Sequence, residues 1–311
     1  WKYININREH LYIYFVDLRA AFDLVPRHVL WNSLRSLGIP EPIVDIISRL
    51  HEQNFAQVRW GPNGEITDPF PVERGLRQGC VLAPTLFSLF INDVIDSLNT
   101  CQHDSPAMNN TKIPALLFAD DTILISRTTK GLENLLKEFN SYCLRKGLEI
   151  NKTKTKVMAI SPHPSYKGKI RLEVTGLDMV SSIEYLGIWL DKKTSWIPHI
   201  EKCKNIIVQQ AGAITRLHNH SPIIPMSLVI EIYRAKVQSA ILYGAEIWGY
   251  TDFSSVTVKE NQFFRKICCL PKHSPLIPLY LDLAFKQSNH LAILKPLLYW
   301  VKLWTIEELL Y

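Results

Sequence analysis

The chain has 311 residues, 47% of them hydrophobic and 21% charged, with a formal net charge of +6. That length can bury a substantial core in one large or two smaller domains, and the composition excludes a disordered tail. No apolar run reaches the roughly 18–20 residues a membrane span needs, and Asn5, Asn7 and Arg8 interrupt the opening segment where a signal peptide would be apolar.

Leu11–Val16 is a continuous β-prone run ending at Asp17, and reads as a buried strand delivering an acid at its C-terminal end. Pro26 opens a helix through Leu37, with Val29, Leu30, Leu34 and Leu37 at helical spacing and Gly38 as the stop. A second helix starts at Pro40 and carries Ile43, Ile46, Ile47 and Leu50. Phe55–Trp60 and Phe70–Val72 read as strands, with the Gly61-Pro62-Asn63-Gly64 turn between them. The Gly75–Pro84 loop runs into an apolar helix that reaches Leu98, and Thr100–Thr111 is a polar surface loop. Ala115–Ala119 and Thr122–Ser126 form a hairpin with Asp120-Asp121 in its turn. Gly131–Lys146 is an amphipathic helix stopped by Gly147. Short β runs follow at Val157–Ile160, Ile170–Val174 and Tyr185–Leu190. From Trp196 the periodicity is helical, over Ile197–Leu217, Met226–Leu242 and Val256–Leu270. A mixed α+β part thus hands over to a mostly helical part near residue 195.

Charge follows a similar division. Residues 1–150 hold 15 basic and 17 acidic side chains, whereas residues 151–311 hold 20 and 12. A basic second half suits a polyanionic partner, because each Lys or Arg that meets a phosphate releases counterions; many basic faces are only solvated. The six cysteines show no CxxC pair and no Cys/His ligand spacing, which points to reduced thiols rather than a zinc site.

Asp17 and the Asp120-Asp121 pair fall at strand ends, exposed at the rim of a rigid sheet. If the two strands are neighbours, acids separated by 103 positions converge. Crowded carboxylates repel and raise one another's pKa. A hard divalent cation relieves that repulsion, and Mg²⁺ takes a few carboxylates together with substrate phosphates. Two such ions about 3.5–4 Å apart stabilise the attacking and leaving oxygens of an in-line displacement at phosphorus. An Asp pair in a turn is also common for its own hydrogen bonding, so the pair alone leaves both readings open.

The motifs in order narrow the choice. Phe15-Val16-Asp17-Leu18-Arg19-Ala20-Ala21-Phe22-Asp23, Gly75-Leu76-Arg77-Gln78-Gly79-Cys80 with Pro84, Phe118-Ala119-Asp120-Asp121, Gly147-Leu148-Glu149-Ile150-Asn151 with Lys154-Thr155, and Tyr185-Leu186-Gly187 follow one another along the chain. Together they resemble the successive motifs of reverse transcriptases of non-LTR (LINE-type) retrotransposons, the last of them resembling the primer-grip hairpin. Tyr243–Trp248 and Phe263–Ile267 are also similar to downstream segments of such elements. The resemblance implies an α+β polymerase palm, an antiparallel sheet with packed helices, over residues 1–190. A mostly helical thumb and C-terminal extension would follow over 191–311. Group II intron maturases and telomerase fit the "AFD" and "RQGC" wording less well.

The same resemblance implies an RNA-directed DNA polymerase that takes an RNA template, a DNA primer and dNTPs. It would use two Mg²⁺ ions, with Mn²⁺ as a substitute, in an intracellular, nuclear setting without a membrane or a legible protein partner. Asp17, Asp120 and Asp121 would be metal ligands, joined by the Leu18 carbonyl. Phe22 would lie under the sugar and select deoxynucleotides, or else pack in the core. Arg77, Gln78 and Gly79 would sit beside nucleotide and template, with Gly75 and Gly79 allowing close backbone approach, and Lys154 would protonate the leaving pyrophosphate. Asp23 would organise its loop. Val81 and Ala83 stand where relatives often carry Pro and Ser. Only sixteen residues precede Asp17, so the fingers and the endonuclease of such elements are expected to be missing and the isolated chain impaired. The competing expectation is a nucleic-acid-binding remnant without turnover.

Overall fold

The computed structural model describes residues 10–52, 54–62, 64–77, 79–108, 110–160, 178–220 and 224–309. It comprises two compact units that meet in sequence at Ser181 and Ser182. Gln78 and the strand expected at Ile170–Val174 lie outside the described residues.

The first unit is built on a five-stranded sheet. Strand β1 (Leu11–Val16) is buried along its whole length, as a continuous aliphatic and aromatic run demands when both faces are covered. It pairs antiparallel with β9 (Asp121–Ser126) on one side and β10 (Lys156–Ile160) on the other. Strand β8 (Ala115–Phe118) lies beyond β9, and β11 (Asp178–Met179) pairs parallel to β10, giving the order β11-β10-β1-β9-β8.

Helix α1 (Arg27–Ser36) follows Pro26 and sinks Leu30 and Leu34 fully into the core. Helix α2 (Glu41–Glu52) buries Val44 and His51 but leaves Ile43, Ile46 and Leu50 exposed. Short antiparallel pairs follow: β2 (Phe55–Ala56) with β5 (Phe70–Pro71), and β3 (Arg59–Trp60) with β4 (Glu65–Ile66). The single helix expected over Pro84–Leu98 is two helices, α3 (Ala83–Phe90) and α4 (Val94–Asn99), broken at Ile91–Asp93. The break has a cause farther along the chain. Tyr142 donates its hydroxyl to Asp93 Oδ1 at 2.6 Å, and Lys146 Nζ lies 2.9 Å from Oδ2, so Asp93 is drawn out of a helical run. The polar stretch before β8 holds one more short pair, β6 (Ala107–Met108) with β7 (Thr111–Lys112).

Helix α5 (Thr129–Lys146) begins where the Thr128 side chain accepts from Gly131 N and ends at left-handed Gly147. Its apolar stripe, Leu132, Leu135, Leu136, Phe139 and Tyr142, joins Tyr12, Tyr14, Val16 and Leu124 of the sheet in one core cluster. Tyr14 sits so deep there that burial, with the Glu133 charge second, pushes its phenol up to about 12.

The second unit opens with a hairpin of β12 (Ser182–Tyr185) and β13 (Ile188–Asp191). The β run expected over Tyr185–Leu190 therefore reverses just after Tyr185, where the resemblance of Tyr185-Leu186-Gly187 implied a hairpin. Leu186 and Gly187, at φ of 47° and 77°, make a two-residue turn with both central residues left-handed. Helix α6 (Ile197–Ile206) passes through a π-helical turn (Ile207–Ala211) into α7 (Gly212–His220). Helix α8 (Met226–Tyr233) likewise passes through Arg234–Gln238 into α9 (Ser239–Ile241). Then come α10 (Ala245–Trp248), α11 (Ser254–Ile267), α12 (Ile277–Asp282) and α13 (Ser288–Leu309). Tyr233, Trp248, Phe263, Phe264, Tyr280 and Phe285 dominate this core. Buried Glu260 accepts from the Ser288 amide at 3.1 Å and from the Tyr233 hydroxyl at 3.2 Å, tying α11 to the start of α13 and to α8.

His199 of α6 is buried, and its Nδ1 accepts from the Trp189 amide at 3.3 Å. Burial, reinforced by Lys202, lowers its pKa from 6.5 to about 4. The folded state therefore binds fewer protons than the unfolded chain between those values, and His199 favours folding above pH 6.5 but less and less as pH falls towards 4. The thermal midpoint of the protein is expected to drop between pH 7 and pH 4.5, and less so in His199→Gln. Equal drops in the two proteins would show that another group controls the acid limb.

Candidate active site

The register of the sheet brings the three acids to one rim. Val16 of β1 pairs with Thr122 of β9, so Asp17, the next residue, faces Asp121 across the strands. Phe118 pairs with Asp121, which leaves Ala119 and Asp120 as a two-residue turn. The turn is thus one residue earlier than the sequence suggests, and Asp121 opens the return strand. Ala119 holds φ at 52°, a left-handed conformation that tightens the reversal.

Asp17 is half-buried, and Asp120 and Asp121 are exposed. Partial burial first, then the Asp120 and Asp17 charges, raise the Asp121 pKa. Asp121 is thus within electrostatic reach of both other carboxylates, and the rim concentrates negative charge. The cation nearest Asp17 is Lys154, whose Nζ lies 3.9 Å from Oδ2, a separation too long for a hydrogen bond.

The segment after α5 holds Asp17 from the other side. Asn151 N donates to the Asp17 carbonyl at 2.8 Å, Arg19 N donates to the Glu149 carbonyl at 2.8 Å, and Leu18 bridges to Ile150. This short ladder uses the carbonyl of Asp17 and leaves that of Leu18 outside it. Fully buried Thr155 receives the Asp17 amide at 3.3 Å and donates its hydroxyl to the Asn151 carbonyl at 2.8 Å. The Asn151 side chain accepts from Thr153 Oγ1 and Lys154 N, folding the turn that presents Lys154.

The loop after Asp17 is laced to the Gly75–Arg77 segment. Leu76 N donates to the Phe22 carbonyl at 2.8 Å, and Gly75 N to the Val25 carbonyl at 2.9 Å. Phe22 is half-buried and stacks on Phe87 with ring centroids 4.7 Å apart, so one face of its ring belongs to the core. Exposed Asp23 lends the loop its backbone, against which Gly75 packs. Arg77 is exposed on the same segment, and its carbonyl accepts from Cys80 N.

The two glycines flanking Arg77 serve different ends. Both have positive φ, 82° at Gly75 and 79° at Gly79. A Cβ at Gly75 would lie 2.6 Å from the Asp23 carbonyl oxygen, whereas one at Gly79 would meet nothing within 4 Å. Gly75 thus fits the loop to its own chain, and Gly79 keeps open surface. Gly79→Ala is expected to cost about 1 kcal/mol from backbone strain alone, and Gly75→Ala about 3 kcal/mol or more because backbone must shift. Thermal melts of the two variants decide this, and equal losses would refute the distinction.

Sequence reasoning missed Arg27. Its guanidinium donates to the carbonyls of His51 at 2.7 Å, Gly75 at 3.0 Å and Arg74 at 3.4 Å. Its place in the first turn of a helix gave no signal of these targets.

Among the described residues, no three His, Cys, Asp or Glu side chains converge closely enough to ligate one ion by themselves. The rim is an open acidic surface rather than a closed cage. A Mg²⁺ site can take few carboxylates when water and substrate phosphates complete the shell, and the mutual repulsion felt at Asp121 is what such an ion would relieve.

Residues 1–190 match the family described as Reverse transcriptase (RNA-dependent DNA polymerase). The chain belongs to the reverse transcriptase family. Among curated relatives, this reverse transcriptase chain is 26% identical over 291 residues to the "Probable RNA-directed DNA polymerase from transposon BS" of Drosophila melanogaster, covering 89% of this chain and 31% of the relative. It is 22% identical to the "RNA-directed DNA polymerase from mobile element jockey" of the same species, over 85% of this chain and 29% of that one. It is also 28% identical to the Pol polyprotein of a type-1 R2 element of Popillia japonica, over 60% and 27%. The chain spans about a third of the length of these relatives. A telomerase structure from Candida albicans aligns over 95% of this chain and 47% of its own, at 12% identity and a TM-score of 0.48, too loose to carry an argument. The relatives place the chain with the non-LTR elements, and its antiparallel-rich sheet with packed helices is the architecture expected of such a polymerase. No helix among the described residues is long and apolar enough to cross a membrane.

Proposed function

We propose that this chain is the polymerase core of a non-LTR retrotransposon reverse transcriptase, and that it extends a DNA 3′ end on an RNA template. The first unit would be its palm, and the helical unit its thumb. The observation that carries the reading is the meeting of Asp17, Asp120 and Asp121 at one rim, where burial first and then the charges of the other two raise the Asp121 pKa.

In this reading Asp17, Asp120 and Asp121 hold the divalent ions, with the Leu18 carbonyl, outside the ladder to residues 149–151, as a further oxygen. Bound Mg²⁺ would supply charge stabilisation for the attacking and leaving oxygens of nucleotidyl transfer. Thr155 and Asn151 keep Asp17 from turning away, and the tight Ala119-Asp120 turn does the same for Asp120. Lys154, close to Asp17 without a hydrogen bond, is free to turn to a triphosphate and give its proton to the leaving pyrophosphate. Arg77, with Gln78 and open Gly79, would meet nucleotide and template. Phe22, half in the core and stacked on Phe87, has one ring face left to press on the sugar and exclude a 2′-hydroxyl.

The test is incorporation of dTTP on a poly-rA template with an oligo-dT primer. Extension should need Mg²⁺ or Mn²⁺ and stop with EDTA. Extension insensitive to the chelator would defeat the assignment.

A further inference from the structure

We propose that Arg27 is a positioning residue that sets the affinity for the incoming nucleotide, an inference that rests on the polymerase reading. One half-buried guanidinium reaches three backbone carbonyls, those of His51, Arg74 and Gly75, from the first turn of α1. The first lies in the last turn of α2, where helical carbonyls lack partners. The other two precede Leu76 and Arg77. Between His51 and Arg74 runs the β2–β5 ribbon, which leaves Phe55, Trp60 and Phe70 exposed. A two-stranded ribbon with so little buried surface is marginally stable. Arg27 therefore pins both ends of a weakly held excursion of the chain.

What it pins matters to the acidic rim. Gly75 and Leu76 donate to the carbonyls of Val25 and Phe22, in the loop that leaves Asp17. Asp23 and Gly75 are in backbone contact, closer than any side chain would permit. The guanidinium is the one side chain among the described hydrogen bonds that holds the Arg74-Gly75 carbonyls in this contact. Exposed Arg77, two residues on, is a cation this segment offers, with Arg74, to a triphosphate drawn to the carboxylate rim. Freed from Arg27, the segment would keep its charge and lose its place. Lysine is a poor substitute, since a point charge cannot span carbonyls arrayed along two edges of a planar fork.

Arg27→Met and Arg27→Lys in the full 311-residue chain test the proposal. Hydrogen exchange at the Gly75 and Leu76 amides should quicken by about tenfold in Arg27→Met, the equivalent of one lost hydrogen bond. Exchange along β1 and Mn²⁺ affinity read by electron paramagnetic resonance should not change. The KM for dTTP should rise by about tenfold with kcat nearly constant, the split expected when positioning of substrate is lost. Arg27→Lys should fall between, and it serves alone if Arg27→Met does not fold. Unchanged exchange at Gly75 and Leu76 overturns the clamp. Faster exchange with an unchanged KM overturns its link to the nucleotide. A wild-type chain that incorporates nothing with Mg²⁺ counts against the polymerase reading instead, and exchange still decides the clamp.

Discussion

Asp120→Asn is expected to lower Mg²⁺-dependent primer extension by about 10³-fold or more, a loss of the size seen when charge stabilisation of a transition state is removed. The replacement is nearly isosteric and sits in an exposed turn, so folding should survive. The thermal midpoint should even rise slightly. Asp120 is one of the charges that hold the Asp121 pKa up, and removing it relieves a repulsion that the folded state carries. Mn²⁺ affinity should fall in parallel with activity. The joint pattern, lost turnover and weaker metal with equal or better stability, separates a ligand from a structural residue. Extension at the wild-type rate by Asp120→Asn would end the assignment of the rim as the catalytic centre.

The largest loss of stability is expected at Gly249, between α10 and α13. A Cβ there would lie 2.0 Å from the carbonyl oxygen of Ala292 and 2.5 Å from that of Ala245. Both obstacles are backbone, so neither can rotate away. Gly249→Ala should destabilise the helical unit by about 3 kcal/mol or more, in the range of severe overpacking. Gly212→Ala is the matched control, because a Cβ there meets nothing within 4 Å and its φ of −61° is helical. It should stabilise by about 0.5–1 kcal/mol through helix propensity. Denaturant titration of both variants measures the difference, and equal midpoints would show that α10 and α13 do not approach this closely.

Elements whose cause is local were legible in the sequence. The run Leu11–Val16 names its own strand, because six apolar residues in a row leave no polar face. Gly147 marks the end of α5 in the same way, whereas its start, expected at Gly131, lies two residues earlier behind the Thr128 cap. What escaped depends on distant partners. The helix break at Asp93 follows from Tyr142 and Lys146, and nothing near Asp93 announces them. The reversal at Leu186-Gly187 was legible only through the resemblance to a hairpin motif, because leucine rarely adopts a positive φ and the β-prone run Tyr185–Leu190 reads as continuous. The candidate site divides similarly. Its acids were legible as strand-end residues of a recognisable motif series, but whether two strands are neighbours is a property of the sheet. Gly75 was legible as a point of close backbone approach, but not that the approach is to Asp23 of its own chain; the role of Arg27 was invisible, since it acts on carbonyls, which every residue has.

The left-handed Ala119 places a burden on folding rather than on turnover. A methyl-bearing residue in that backbone well lies about 1 kcal/mol above glycine, a noticeable part of the few kcal/mol that keep a domain folded. In return the connector between β8 and β9 has fewer shapes open to it than a glycine hinge would, and Asp120 sweeps a smaller volume. If Asp120 serves as the proposed ligand, the turn would hold it in place beforehand, at a standing charge to the resting protein.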